Sequence, residues 1–98
     1  MYLFNKTINK LLKANVTVAT AESCTGGLLS YSFIKNKGVS KIFKTGLICY
    51  SDTSKIKFLK IKKNILKKYG AVSHQTSKEM TQNLSKLIDC DLSITTTG

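Results

Sequence analysis

Two short stretches of this 98-residue chain combine side chains able to make or break a covalent bond. In Thr20-Ala21-Glu22-Ser23-Cys24-Thr25-Gly26-Gly27, a hydroxyl and a thiol stand just ahead of a glycine pair, where an apolar strand pattern changes to helical spacing. Backbone N–H groups at a helix start carry partial positive charge, and adjacent glycines let an anion or oxyanion approach the backbone closely. Ser23 is therefore a candidate nucleophile. Ser and Thr are also the favoured helix caps, and glycines often only permit a tight turn, so a capping role stands beside the catalytic one. In Tyr50-Ser51-Asp52-Thr53-Ser54-Lys55, a tyrosine closes a strand pattern and a lysine follows five residues on. Lysine acts as a general base when desolvation or a neighbouring cation favours the neutral amine; otherwise it is a solvated surface group.

Three other reactive side chains attract plainer readings. Cys24 shares the helix start with Ser23, where a thiol can be activated, but a small buried Cys is the commoner case. His74 follows a serine cap with no adjacent carboxylate and reads as exposed. Glu22 reads as a partner for a lysine or a cap for backbone groups, without a catalytic role.

These groups must be positioned by alternating helices and strands. Phe4, Ile8, Leu11 and Leu12 fall on one helical stripe, which Asn15 ends. Val16 to Ala21 is small and β-branched, a short buried strand. Leu28, Leu29, Ser32 and Phe33 resume helical spacing after Gly26-Gly27, up to the Asn36-Lys37-Gly38 cluster. Gly46 to Tyr50 is a second strand, and Ile61, Ile65, Leu66 and Tyr69 mark a short helix closed by Gly70. Ser73 caps a longer helix with Met80, Leu84, Leu87 and Ile88 on its core face, and Leu92 to Gly98 is a third strand. This order predicts an α/β fold, a small three-layer helix-sheet-helix arrangement with a mostly parallel sheet. Three strands are few for such a sheet, and a last strand ending at Thr97-Gly98 gives the expectation of a single domain over residues 1–98 that is cut short.

Composition narrows the functions. The formal charge is +11, from 16 lysines and no arginine against 5 acids. Arginine is the usual bidentate reader of phosphate and guanine, so its absence argues against nucleic acid as a partner despite the charge. The densest run, Lys55, Lys57, Lys60, Lys62, Lys63, Lys67 and Lys68, alternates with aliphatic residues and reads as the solvated faces of short helices. No apolar run reaches the roughly 20 residues of a membrane span, and the early Lys6, Lys10 and Lys13 argue against a leader peptide, which gives a cytoplasmic expectation. Cys24, Cys49 and Cys90 are odd in number and widely spaced, which disfavours both a disulfide framework and a zinc site.

TVATAESCTGG, TGLICYSDTSK with Tyr50 27 positions after Ser23, GAVS at Gly70 to Ser73 and the closing TTTG together resemble the CinA carboxyl-terminal domain family. The resemblance runs from about Leu11 to Gly98. It implies nicotinamide-nucleotide amidase activity, the hydrolysis of nicotinamide mononucleotide to nicotinate mononucleotide and ammonia, with no metal or organic cofactor. It further implies Ser23 as nucleophile, Lys55 as its base, Tyr50 as a hydroxyl that relays or orients protons, the N–H groups of the Thr25, Gly26 and Gly27 turn as the oxyanion site, and Thr97 as an active-site threonine at the substrate. In the family the domain continues into a glycine-rich loop, a further strand and helix, and a later arginine is implicated in the site.

Three readings follow: an amidase-family domain, an inactive remnant or binding module that keeps part of the fold, and a weak polyanion binder. Association with further copies through an unpaired sheet edge is also expected. On the chain as it stands, DNA or RNA binding should be weak and fall steeply with added salt, as lysine–phosphate contacts alone dictate. A gel-shift titration checks this; tight, sequence-selective binding at physiological salt would contradict it.

Overall fold

The computed structural model describes residues 2–98. Helix α1 (Tyr2–Ala14) leads into strand β1 (Val18–Glu22), helix α2 (Leu28–Ile34), a 3-10 turn (Val39–Lys41), and strand β2 (Phe43–Ile48). Helices α3 (Asp52–Leu59), α4 (Lys63–Tyr69) and α5 (His74–Leu87) follow, and strand β3 (Leu92–Thr96) closes the order. Asn15 ends α1 by adopting a positive φ of 54°, a conformation Asn tolerates better than most side chains. No helix among the described residues is long and apolar enough to cross a membrane.

The sheet has the order β2-β1-β3 and both pairings are parallel, so the expected mostly parallel sheet is wholly parallel here. All five residues of the central strand are buried. Because side chains alternate along a strand, β1 serves two different layers. Val18 packs with Ile8, Phe33, Val39 and Ile42 beneath α1 and α2. Ala19 and Ala21 meet Leu59, Leu66, Met80 and Leu84 from α3, α4 and α5 on the other face. Their small side chains let three helices lie close to the strand. The result is the helix-sheet-helix arrangement read from the pattern.

All three strands differ from expectation at their ends, the third stopping at Thr96. The first strand starts at Val18 and runs through Glu22, and the second starts at Phe43 and stops at Ile48. Strand β2 is an edge strand with alternating half-buried and exposed residues, and its first half, Phe43 to Thr45, sets an exposed Lys44 between half-buried neighbours, which an apolar-run criterion overlooks. Its register against β1 shifts between Val18 and Ala19, which pair with Phe43 and Thr45. Ser51 caps α3, its hydroxyl accepting from the Ser54 N–H at 3.1 Å, and Ser73 caps α5 by accepting from the Thr76 N–H at 3.1 Å.

Gly46 is required by space. A Cβ built there would collide with the Ser30 hydroxyl and lie 2.8 Å from Thr20 Oγ1. Gly46→Ala should therefore cost roughly 1–3 kcal/mol, the usual range for overpacking. Urea unfolding measures it, and an unchanged midpoint would contradict the packing described.

Candidate active site

The carboxyl end of β1 is where the two layers deliver their polar groups. Glu22 points toward α2 and Ser23, one residue on, toward the α3 side. Both are buried, Glu22 wholly and Ser23 to 4 % exposure. Gly26 and Gly27 then take φ values of 58° and 104°, which fold the chain sharply into α2. That left-handed geometry strains any residue with a Cβ, and at Gly27 a Cβ would also press on Ile48 at 3.1 Å.

Lys55 is 1 % exposed and enters from α3. Its Nζ lies 2.9 Å from Ser23 Oγ and 2.6 Å from the carbonyl oxygen of Tyr50. The Ser51 cap sets this arrangement, since it starts the helix one turn before Lys55 and turns Lys55 and Leu59 to the same buried side. Lys55 therefore departs from the solvated run to which the sequence pattern assigned it, whereas Lys57, Lys60, Lys62, Lys63, Lys67 and Lys68 are all exposed. Cys49 is buried in the same layer; burial raises its thiol pKa, with Lys55 pulling weakly the other way. The Ser23 hydroxyl is the side-chain oxygen that faces the amine.

Tyr50 is present at the pair through its backbone. Its side chain is 73 % exposed, and it is the carbonyl that accepts from Lys55 and, at 3.5 Å, from Ser23 Oγ. The threonine next to Ser23 is Thr96. Its carbonyl and hydroxyl oxygens accept the Ser23 N–H at 3.1 and 3.4 Å. Thr97 instead donates to the Ala71 carbonyl at 2.7 Å and lines a recess of about 340 Å³ with Val72, Ser73, His74 and Ser77. The Gly26 N–H is committed to the Ser23 carbonyl at 3.2 Å. The Thr25 hydroxyl bonds to Glu22 Oε1 at 2.5 Å and to Thr96 Oγ1 at 2.8 Å. Cys24 and His74 are exposed, and Met80 is buried in the core.

Glu22 turns out to be a hub. Oε1 accepts from Thr25 Oγ1 and the Leu29 N–H, and Oε2 from the N–H and hydroxyl of Ser30, at 2.5 to 2.9 Å. The Leu29 and Ser30 N–H groups belong to the first turn of α2, where no intrahelical acceptor exists and the helix dipole favours an anion. Burial alone would raise the Glu22 pKa, but the hydrogen bonds from Ser30, Thr25 and Leu29 together outweigh it and hold the carboxyl below its ordinary value. The expected backbone-capping role is the one observed. The spacing signal was available: an acid at the strand end, seven and eight residues before the first free N–H groups of a helix.

A helix-flanked parallel sheet with a buried serine–lysine pair at the carboxyl end of its central strand defines an α/β protein built around a single polar strand end. The chain belongs to the CinA C-terminal domain family, which it matches over residues 2–98. A competence-damage inducible protein of Clostridium novyi (strain NT) is 50 % identical over 88 residues, 90 % of this chain and 21 % of that protein. The crystal structure of the competence/damage inducible protein CihA from Agrobacterium tumefaciens superposes with a TM-score of 0.94 at 29 % identity, covering 99 % of this chain and 59 % of that one. The competence or damage-inducible protein of Enterobacter asburiae gives 0.89 at 33 % identity, covering 95 % and 58 %. This chain thus spans about a fifth of the Clostridium relative and under three fifths of the two solved chains.

The depressed Glu22 carboxyl has a consequence for acid stability. A group whose pKa is lower folded than unfolded stabilises fully above its unfolded value, and that contribution is lost as pH falls through the folded value. Stability should therefore decline as pH drops below about 4.5, the ordinary value for this carboxyl. Glu22→Gln should be less stable at neutral pH and show a shallower acid decline. Asp91 also has a lowered pKa, through its hydrogen bonds from Thr17, and adds to the slope in both proteins. Denaturation midpoints from pH 3 to 7 test this; identical slopes for both proteins would contradict it.

Proposed function

We propose that the chain carries the nucleophile and base of a nicotinamide-nucleotide amidase acting in the cytoplasm, hydrolysing nicotinamide mononucleotide to nicotinate mononucleotide and ammonia. The observation that supports this most is the 2.9 Å contact between two buried groups, Lys55 Nζ and Ser23 Oγ. A lysine removed from water beside a serine hydroxyl, with no carboxylate bonded to its amine among the described residues, is suited to exchange a proton with it.

In this reading the neutral Lys55 amine directs one N–H to the Tyr50 carbonyl, which turns its lone pair toward Ser23. Ser23 Oγ attacks the carboxamide carbon as its proton moves to Lys55. The tetrahedral oxyanion faces the turn after Ser23, where the N–H groups of Cys24, Thr25 and Gly27 make no hydrogen bond among the described residues. The C–N bond then breaks, Lys55 returns the proton to the departing nitrogen, and ammonia leaves. Water attacks the resulting ester with Lys55 again taking a proton, which releases the acid and restores Ser23. Thr97, in its recess beside the same strand ends, is proposed to touch the nucleotide. No step draws on a metal or organic cofactor.

Ammonia release should be assayed with the chain alone and joined to the part of the Agrobacterium relative that it does not cover, since remote binding groups support the chemical step. Ser23→Ala and Lys55→Met should each reduce turnover on the order of 10³-fold or more, as removal of a nucleophile or its base does. Tyr50→Phe should lose less than ~10-fold, below the ~10²-fold or more that an acid–base hydroxyl supplies, because the carbonyl is kept. Undiminished turnover in Ser23→Ala, or no ammonia from either form, would contradict the proposal.

A further inference from the structure

The directions of the hydrogen bonds around Glu22 can be followed outward from its charge. An ionised carboxylate only accepts. Thr25 therefore donates its single hydroxyl proton to Oε1, and Ser30 donates its own to Oε2 at 2.6 Å. With those protons used, Thr25 can only accept from Thr96, and Ser30 can only accept from Thr20, 2.6 Å away. Thr96 thus donates toward Thr25, which leaves its lone pairs for the Ser23 N–H. One buried charge orders every hydroxyl between the start of α2 and the backbone of Ser23.

Glu22 and Ser23 face opposite layers, so the carboxylate does not meet a molecule attacked by Ser23 Oγ. Its influence runs through Thr25 and Thr96 to the Ser23 N–H, and through Leu29 and Ser30 to the start of α2. Both ends of the Ser23–Gly27 turn are therefore tied to one anion. We infer that Glu22 is a positioning residue for Ser23, holding that turn through the Thr25 and Thr96 hydroxyls in the orientation from which Ser23 Oγ attacks an electrophilic centre. The inference rests on Ser23 being the nucleophile but is independent of which amide is the substrate.

The test uses a fluorophosphonate with the whole chain. Ser23 Oγ forms a bond to phosphorus, the P–F bond breaks, fluoride leaves with its electron pair, and the serine proton passes to Lys55. Mass spectrometry locates the adduct, and rates over a range of probe concentrations separate maximal rate from half-saturation. Glu22→Gln keeps size but replaces one acceptor oxygen by a donor facing buried N–H groups. Thr25→Val removes the hydroxyl link, and Thr25→Ser restores it. Maximal rates in Glu22→Gln and Thr25→Val should fall ~10- to 100-fold, the effect of a slightly misplaced reacting group, with half-saturation unchanged and Thr25→Ser close to the parent chain. Melting curves establish that each variant is folded at the assay temperature. If Glu22→Gln does not fold, the Thr25 pair decides alone. A parent-like maximal rate in Thr25→Val, or Thr25→Ser as slow as Thr25→Val, would overturn the inference while leaving Ser23 as the nucleophile. Absence of any Ser23 adduct in the parent chain would remove the nucleophile itself, and the inference with it.

Discussion

Lys55 is the residue around which the rest of the architecture is arranged. An amine withdrawn from water needs acceptors at fixed positions, and among the described residues two oxygens meet it: the Ser23 hydroxyl and the Tyr50 carbonyl. Each comes from the carboxyl end of a parallel strand or just beyond it. Those ends are adjacent because β1 and β2 pair in register there, with the Cys49 N–H donating to the Glu22 carbonyl at 2.8 Å. The Ser51 cap begins α3 at the one place from which its first full turn reaches them. Sheet register, helix start and buried amine are parts of one constraint.

The central strand then separates the carboxylate from the amine by its own alternation. The Glu22 anion lies among hydroxyls and helix N–H groups on the α2 side, while the Lys55 amine lies on the α3 side, and the two do not bond to each other. A direct ion pair would satisfy both groups and leave neither free to act on Ser23. With the two groups on opposite layers, the anion fixes backbone and the amine addresses the Ser23 hydroxyl.

Much of this arrangement was legible before the structure, for identifiable reasons. Helix α1 carries an apolar stripe, the α5 stripe holds through Met80 and Leu84 while Leu87 is exposed and Ile88 lies past the helix end, and the period change after Gly27 marks a strand-to-helix turn. The AESCTGG segment holds its hydroxyl where strand-end chemistry would need it. Lys55 stood out by its place five residues after Tyr50, but its lysine-rich run looks solvated, and the buried side of α3 that it shares with Leu59 was not legible in the run. Tyr50 drew attention for its phenol, whereas a backbone carbonyl carries no residue signature. Thr96 and Thr97 are neighbours of one type, so only strand register decides which one meets Ser23. Glu22 was legible as a cap but not as a hub, because its four donors come from α2 and from a hydroxyl whose orientation depends on the folded turn.

The central claim is that Lys55 is buried with its amine against Ser23. Assigned nitrogen-15 spectra of the lysine side-chain amines test it most directly, since the other 15 of the 16 lysines provide an internal reference for solvated behaviour. The structure predicts one resolved amine, that of Lys55, exchanging slowly with water and showing nuclear Overhauser contacts to the Ser23 β protons. A Lys55 signal that exchanges as fast as the others and shows no contact with Ser23 would contradict the account.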